Sequence, residues 1–334
     1  MCWICGQDAS YRPGGFSAEA TSISEGSAAE AGLADLGGGL QYTPAAYASS
    51  ADIAALTGNT YFRWNYAAPV GTPVIVTYTF PTAPASYDTR PGFVGFSEEQ
   101  KAYTRMALNT WAAASGITFL EVPASVNAQI RFSFVDMTGL VNSTGNPLSG
   151  YAYYPTTQNL GQGGDVYMNV SFFQSSGALI SPGQRGYSIL LHEIGHAIGF
   201  KHPFEGSPTI DPSRDNSAFT VLSYNRPNST TALGSVDIAA SQFFYGINDL
   251  SYSWNSSMLT LSIFGSETGE STVGTELTDF IYGAGGNDII NGLAGDDTLF
   301  GGAGQDTMDG GAGTDTVSYA QEGGAVSVSL FAGT

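Results

Sequence analysis

The sequence predicts an α+β domain followed by an all-β repeat region, and three observations carry that prediction. A capping-box sequence at residues 97–100 opens a run in which apolar residues recur at helical spacing. Short β-branched and aromatic runs alternate as strands on either side of it. From Gly283 the chain repeats itself every nine residues.

Taken in order, residues 1–48 are rich in Ala, Gly and Ser with weak periodicity, and are expected to form a leader with little core of its own. A packed domain is expected over 49–248 and the repeat region over 249–334. Residues 52–56, followed by Gly58, read as a short helix, and 74–80 as a strand. The helix that starts behind Ser97 is expected to bury Tyr103, Met106, Ala107, Thr110, Trp111 and Ala114 and to stop at Gly116. Residues 117–122, 129–135, 152–154 and 165–170 read as four strands. A second long helix is expected over 184–198, with Tyr187, Leu191, Ile194 and Ile198 as its core stripe.

Charge narrows the function classes. The chain carries a formal net charge of -19, with no Lys or Arg after Arg226. Such a surface argues against nucleic acid or an anionic membrane as partner, because both attract basic surfaces, and suits a protein that collects cations. No apolar run approaches the ~18 residues of a membrane span, and the N-terminus lacks a basic start with an apolar segment behind it, so neither membrane insertion nor a cleaved signal is expected. The two cysteines, Cys2 and Cys5, lie too near the N-terminus to staple a fold.

All three histidines, His192, His196 and His202, fall in one stretch of eleven residues, His-Glu-Ile-Gly-His-Ala-Ile-Gly-Phe-Lys-His, followed by Pro203. On a helix His192 and His196 share a face, with Glu193 beside them. Gly199 lets the chain leave the helix and return His202 to the same point. Three neutral imidazoles with a fourth position open to water make a catalytic zinc geometry rather than a closed structural one, with Glu193 as general base. This string resembles that of the metzincin metalloproteases, and Pro203 points within them to the serralysin group. Residues 96–122, 129–132, 164–167 and 236–246 look like the corresponding pieces of serralysins.

The resemblance implies a twisted mixed sheet with long helices and a tight turn beneath the zinc. Leu222 stands where metzincins carry a methionine in that turn, an exchange of similar volume. Tyr224 stands where serralysins place a tyrosine, which implies a phenol that ligates the resting zinc and hydrogen-bonds the oxyanion. The loop after Pro203 looks shorter than in most serralysins. For Cys2 and Cys5 two readings stand: an unpaired tail, or a latency device in which one thiolate, or Asp8, occupies the open metal position.

In the repeats Gly283, Gly292, Gly301 and Gly310 open each unit, a second glycine follows three residues on, and Asp288, Asp297, Asp306 and Asp315 come next. Ile290, Leu299, Met308 and Val317 follow as inward-facing apolar residues, and a degenerate unit with Gly274, Asp279 and Ile281 precedes them. Glycine turns supply carbonyl oxygens and Asp a hard anionic one, so folding is expected to require Ca²⁺. The pattern resembles the calcium-binding nonapeptide repeats of RTX proteins, folded as a parallel β-roll. The ligand set so implied is Gly283, Gly285, Asp288, Gly292, Ala294, Asp297, Gly301, Ala303, Asp306, Gly310, Ala312 and Asp315, with turns two repeats apart sharing an ion.

Together these resemblances imply a monomeric, secreted zinc endopeptidase acting on protein or peptide substrates. They imply departure through a bacterial type I exporter that reads an uncleaved C-terminal signal, and the natural C-terminus is expected beyond Thr334. A substrate is expected to add a strand at the sheet edge near 152–154. The alternative is a calcium-dependent extracellular binding or matrix module with an idle zinc site, against which the presence of Glu193 argues.

Overall fold

A computed structural model describes residues 48–319 of the 334, apart from 59, 61, 143–144, 156–161, 177–179, 227–229 and 248–249. The expected leader and its latency candidates Cys2, Cys5 and Asp8 lie outside the described residues. The first helix, α1 (Ser50–Thr57), starts from a capping box in which Ser49 and Asp52 each accept from the other's backbone amide.

A five-stranded sheet follows, made of β1 (Val74–Thr79), β2 (Ile117–Glu121), β3 (Ile130–Val135), β4 (Gly150–Ala152) and β5 (Val166–Asn169) in the order β2-β1-β3-β5-β4. Every pairing is parallel except that of β4, which runs antiparallel to β5 and forms an edge. The strand expected over 165–170 ends at Asn169, because Val170–Ser176 turns into a helix, α3, which the alternation in the sequence did not announce.

The helix α2 (Glu98–Ala112) has the expected capping box at Ser97 and Gln100, and stops four residues before Gly116. Its buried face is Thr104, Ala107, Leu108 and Trp111, rotated from the expected one: Met106 is 48% exposed. The i, i+3, i+4, i+7 spacing of those four is a single helical stripe, and Thr104 satisfies its hydroxyl by donating to the Gln100 carbonyl. Trp111 Nε1 donates to the Leu191 carbonyl at 3.1 Å, which fixes α2 against the helix that carries the histidines. That helix, α4 (Arg185–Ala197), is buried on all sides from Gly186 to Ala197, so the expected stripe is only part of its core contribution. The last helix before the repeats is α5 (Ser235–Tyr245).

The remaining strands are β6 (Ser251–Asn255), β7 (Thr260–Phe264), β8 (Ser271–Val273), β9 (Thr278–Tyr282), β10 (Ile289–Asn291), β11 (Thr298–Phe300), β12 (Thr307–Asp309) and β13 (Thr316–Ser318). From β8 onward they alternate between two sheets, β12-β10-β8 and β13-β11-β9-β7-β6, the winding of a parallel β-roll. Register places residues 18 apart side by side, as in Ile290 with Met308 and Leu299 with Val317. Ile281, Ile290 and Leu299 are fully buried as the repeat pattern requires, whereas Met308 and Val317 are only half-buried towards the far end.

The two regions share a core. Val74 and Val76 face the helices, while Ile75 between them joins Leu120, Val122 and Ala128 in a cluster with Leu261, Ile263, Leu277, Ile281, Ile290 and Leu299 of the roll. The period of two along β1 therefore gives the sheet one face for the helices and one for the roll. None of the described helices is long and apolar enough to cross a membrane.

Candidate metal centres

His192 and His196 lie one turn apart on α4. The helix ends because Gly199 adopts φ +105°, and a Cβ there would stand 1.8 Å from the Phe62 carbonyl oxygen, so both backbone conformation and space require glycine. The amide of Phe200 then donates to the Gly195 carbonyl at 3.0 Å, closing the turn that brings His202 back. The three Nε2 atoms stand 3.1 Å from one another in every pair, and all three rings are buried.

These residues fit zinc. Tetrahedral Zn–N bonds of about 2.0–2.1 Å place nitrogens roughly 3.3 Å apart, close to the spacing found. Burial, then the neighbouring cationic and imidazole groups, hold all three histidines well below their usual pKa, so each is the neutral ligand form. The Nδ1 atoms meet acceptors: His192 the Val221 carbonyl at 2.8 Å and His196 the Phe200 carbonyl at 2.6 Å. Glu205 Oε2 stands 3.1 Å from His202 Nδ1, off the N–H axis. An Nδ1–H tautomer leaves three Nε2 lone pairs pointing at one spot, an arrangement that repels itself without a cation.

Glu193, wholly buried, has its carboxyl pushed up to about 7 by loss of solvent, with Arg226 opposing the shift. A Cβ built on Gly150 of β4 would come within 3.3 Å of Glu193 Oε1, so the edge strand runs against this carboxylate. Tyr224 packs beside the histidines, with ring centroids 4.5 Å from His202 and 5.9 Å from His192. Leu222 is fully buried beneath the site: a Cβ at Gly195 would meet its Cδ2 at 3.0 Å. Tyr154, just past β4, sets its ring edge-on to His196 at 5.9 Å.

Sequence reasoning missed the parts that hold this cluster. Buried Asp237 accepts from Thr220 Oγ1 at 2.6 Å, from the Val221 amide at 2.8 Å and from the Gly234 amide at 2.9 Å, and so fixes the turn whose Val221 carbonyl faces His192. Arg226 donates to the Ser223 carbonyl at 2.8 Å and closes on His192 Nδ1; burial lowers its guanidinium to about 10. Phe204 stacks on His202 with centroids 5.0 Å apart. Only the order of residues 219–225 hinted at a turn there, and nothing in the order of residues linked it to Asp237.

The roll has its own convergent oxygens. A Cβ at Gly283 would lie 2.4 Å from the Gly301 carbonyl oxygen and 2.5 Å from Asp288 Oδ2; one at Gly292 would lie 2.6 Å from the Gly310 carbonyl oxygen and 2.4 Å from Asp297 Oδ2. Both Oδ2 atoms are buried without a hydrogen-bond donor. The Oδ1 atoms link turns 18 residues apart: Asp288 and Asp297 Oδ1 accept from the Glu270 and Asp279 amides at 2.9 and 2.8 Å, and Asp306 and Asp315 Oδ1 from the Asp288 and Asp297 amides at 3.0 and 3.1 Å. Gly285 bridges Ala303 and Ala294 bridges Ala312 in the same way. Carbonyls and an undonated carboxylate oxygen at one glycine cradle fit Ca²⁺. Burial pushes Asp297 up to about 7, and the neighbouring Asp315 and Asp296 carboxylates add to the shift.

Fold and donor sets together define a metzincin-type peptidase domain joined to an RTX β-roll, with zinc as the ion of the first and calcium of the second. Comparison with known proteins agrees. Residues 88–246 match the matrixin family of M10 peptidases, and 274–317 match four copies of the RTX calcium-binding nonapeptide repeat. Serralysin G of Dickeya chrysanthemi is 30% identical over 203 residues, 55% of this chain and 42% of the relative. Serralysin A of the same organism is 31% identical over 216 residues, 58% of this chain and 44% of the relative. Metallopeptidase AprA of Pseudomonas marginalis is 29% identical over 217 residues, 54% of this chain and 43% of the relative. The chain is similar to serralysin-type metzincins in both regions, and it spans less than half the length of these relatives.

Proposed function

We propose that the protein is a secreted zinc endopeptidase whose β-roll is folded by calcium. The single observation that carries the reading is the buried triad of neutral imidazoles at 3.1 Å spacing with Glu193 on the same helix. His192, His196 and His202 would hold the ion, which supplies Lewis acidity towards a water and a scissile carbonyl. Glu193 accepts the proton of the attacking water and returns it to the leaving amine, a task its raised carboxyl pKa suits. The Tyr224 phenol, beside the histidines, would donate to the oxyanion. An extended substrate pairs with the free edge of β4, which runs against Glu193, so main-chain hydrogen bonds carry recognition.

The serralysin relatives and the RTX repeats support export as a folding-competent chain into a calcium-rich exterior, with extracellular proteins as substrates and residues 1–48, 49–248 and 249–334 as leader, peptidase domain and roll. Casein hydrolysis by the wild type and by Glu193→Ala, each with and without a zinc chelator, tests the peptidase reading. Glu193→Ala is expected to retain zinc and lose activity by a factor on the order of 10²–10⁴. Equal turnover in the two proteins overturns the reading.

A further inference from the structure

We propose that the roll opens with two turns closed by a side-chain hydroxyl instead of calcium, and that ion binding begins at Asp288 and Asp297. Two units precede the four regular repeats in register: 265–273, whose strand β8 pairs with β10, and 274–282, whose strand β9 pairs with β11. Glu270 and Asp279 hold their carboxylate positions. A Cβ at Gly265 would lie 2.2 Å from Glu270 Oε1 and 2.5 Å from the Gly283 carbonyl oxygen; one at Gly274 would lie 2.6 Å from both Asp279 Oδ2 and the Gly292 carbonyl oxygen. The cradle is therefore the one seen in the later turns.

What fills it differs. Ser266 donates its amide to Glu270 Oε1 and its hydroxyl to Oε2, both at 2.6 Å. Thr275 donates its amide to Asp279 Oδ2 at 2.6 Å, and its hydroxyl stands 3.1 Å from both Asp279 oxygens. Asp288 Oδ2 and Asp297 Oδ2, as buried as Asp279, have no such donor. An ion in the first two cradles would have to displace these hydrogen bonds, whereas in the next two it would complete the coordination of an unmatched anionic oxygen.

The backbone separates the two kinds of turn independently. In the regular repeats the second residue is left-handed, with φ from +72° to +92° at Ala284, Leu293, Gly302 and Gly311, and so is the fourth, at Gly286, Gly295, Gly304 and Gly313. Ser266, Thr268, Thr275 and Leu277, at the same positions of the first two turns, are not among the left-handed residues. These turns also sit where support does not depend on an ion: β9 pairs with β7 along five residues, and Val273 is part of the peptidase core. They form a ready-made end on which the calcium-dependent turns stack.

The assignment rests on the calcium half of the proposed function, and hydrogen exchange tells the two apart. The zinc-loaded full chain is followed by mass spectrometry in calcium-free buffer and in millimolar calcium. Amides of 274–282 are expected to be protected in both, and those of 283–318 only with calcium. Protection of 274–282 that also needs calcium overturns the hydroxyl-closed turns alone; calcium-insensitive exchange throughout overturns the calcium reading as well. Equilibrium dialysis gives a second readout. Asp288→Asn and Asp297→Asn are each expected to lose one bound calcium and Asp279→Asn none, and loss of an ion in Asp279→Asn overturns the proposal.

Discussion

Asp237 does not touch the histidines, yet its truncation should weaken the metal site, and the size of the effect follows from its partners. The carboxylate is fully buried and accepts from the amides of Val221 and Gly234 and from the Thr220 hydroxyl. In Asp237→Ala the two amides lose their acceptor inside the protein at about 1–3 kcal/mol each, so stability falls by about 2–6 kcal/mol. The turn so loosened carries the Val221 carbonyl that accepts from His192 Nδ1 at 2.8 Å. Loss of a partner of that kind lowers metal affinity by about 10–100-fold. Competition with a chromophoric chelator measures zinc affinity, and urea unfolding of the zinc-loaded protein measures stability. Asp237→Asn keeps an oxygen for the two amides but sets its NH₂ against Thr220 Oγ1, which already accepts from the Leu222 amide at 3.0 Å, so its zinc affinity should fall between wild type and alanine. Unchanged zinc affinity in a destabilised Asp237→Ala would refute the coupling of this turn to His192; unchanged stability would refute the burial argument itself.

Two further outcomes are expected. Leu222→Met should cost less than about 1.5 kcal/mol and leave peptidase activity near wild type, whereas Leu222→Ala, which empties the space against Gly195, should cost about 2–5 kcal/mol in urea unfolding. Asp165, buried and pushed up to about 6 by loss of solvent, against the hydrogen bonds from Tyr87 and Tyr167, favours its neutral form in the folded state. Its contribution is therefore fully present below about pH 4 and is lost as pH rises through about 6. Asp165→Asn, always neutral, should gain up to about 3 kcal/mol on the wild type across that window at saturating zinc and calcium, and parallel stability curves would contradict this.

What could be read from the sequence is what local spacing encodes. A helical period brings His192 and His196 together, Gly199 reverses the chain, and a nine-residue period stacks Asp288 on Asp306, all without knowledge of the rest of the fold. The rotation of α2 was not legible, because Tyr103, Met106 and Thr110 are as compatible with a helical stripe as Thr104 and Leu108. Only the position of α4, through the bond from Trp111 to Leu191, decides between them. Asp237 was invisible for the same reason: its meaning lies in amides sixteen and three residues away that only the folded chain brings to it.

The turn at 265–270 escaped notice for a different reason. It departs from the repeat in composition while keeping its geometry, with Glu for Asp and Ser for the left-handed second residue. A repeat search reads such departures as decay. In the fold they sit at the end of the roll that packs on the peptidase sheet, where Leu277 joins the core that includes Ile75 and Val273 of β8 joins the peptidase core. There a hydroxyl that satisfies the carboxylate from within the chain gives a turn that stands before calcium arrives. A roll made wholly of regular repeats would instead leave that face with only Leu261 and Ile263 of the β6–β7 hairpin until the ions bound. The two irregular units thus connect the stability of the zinc-bearing domain to a surface that does not wait for calcium.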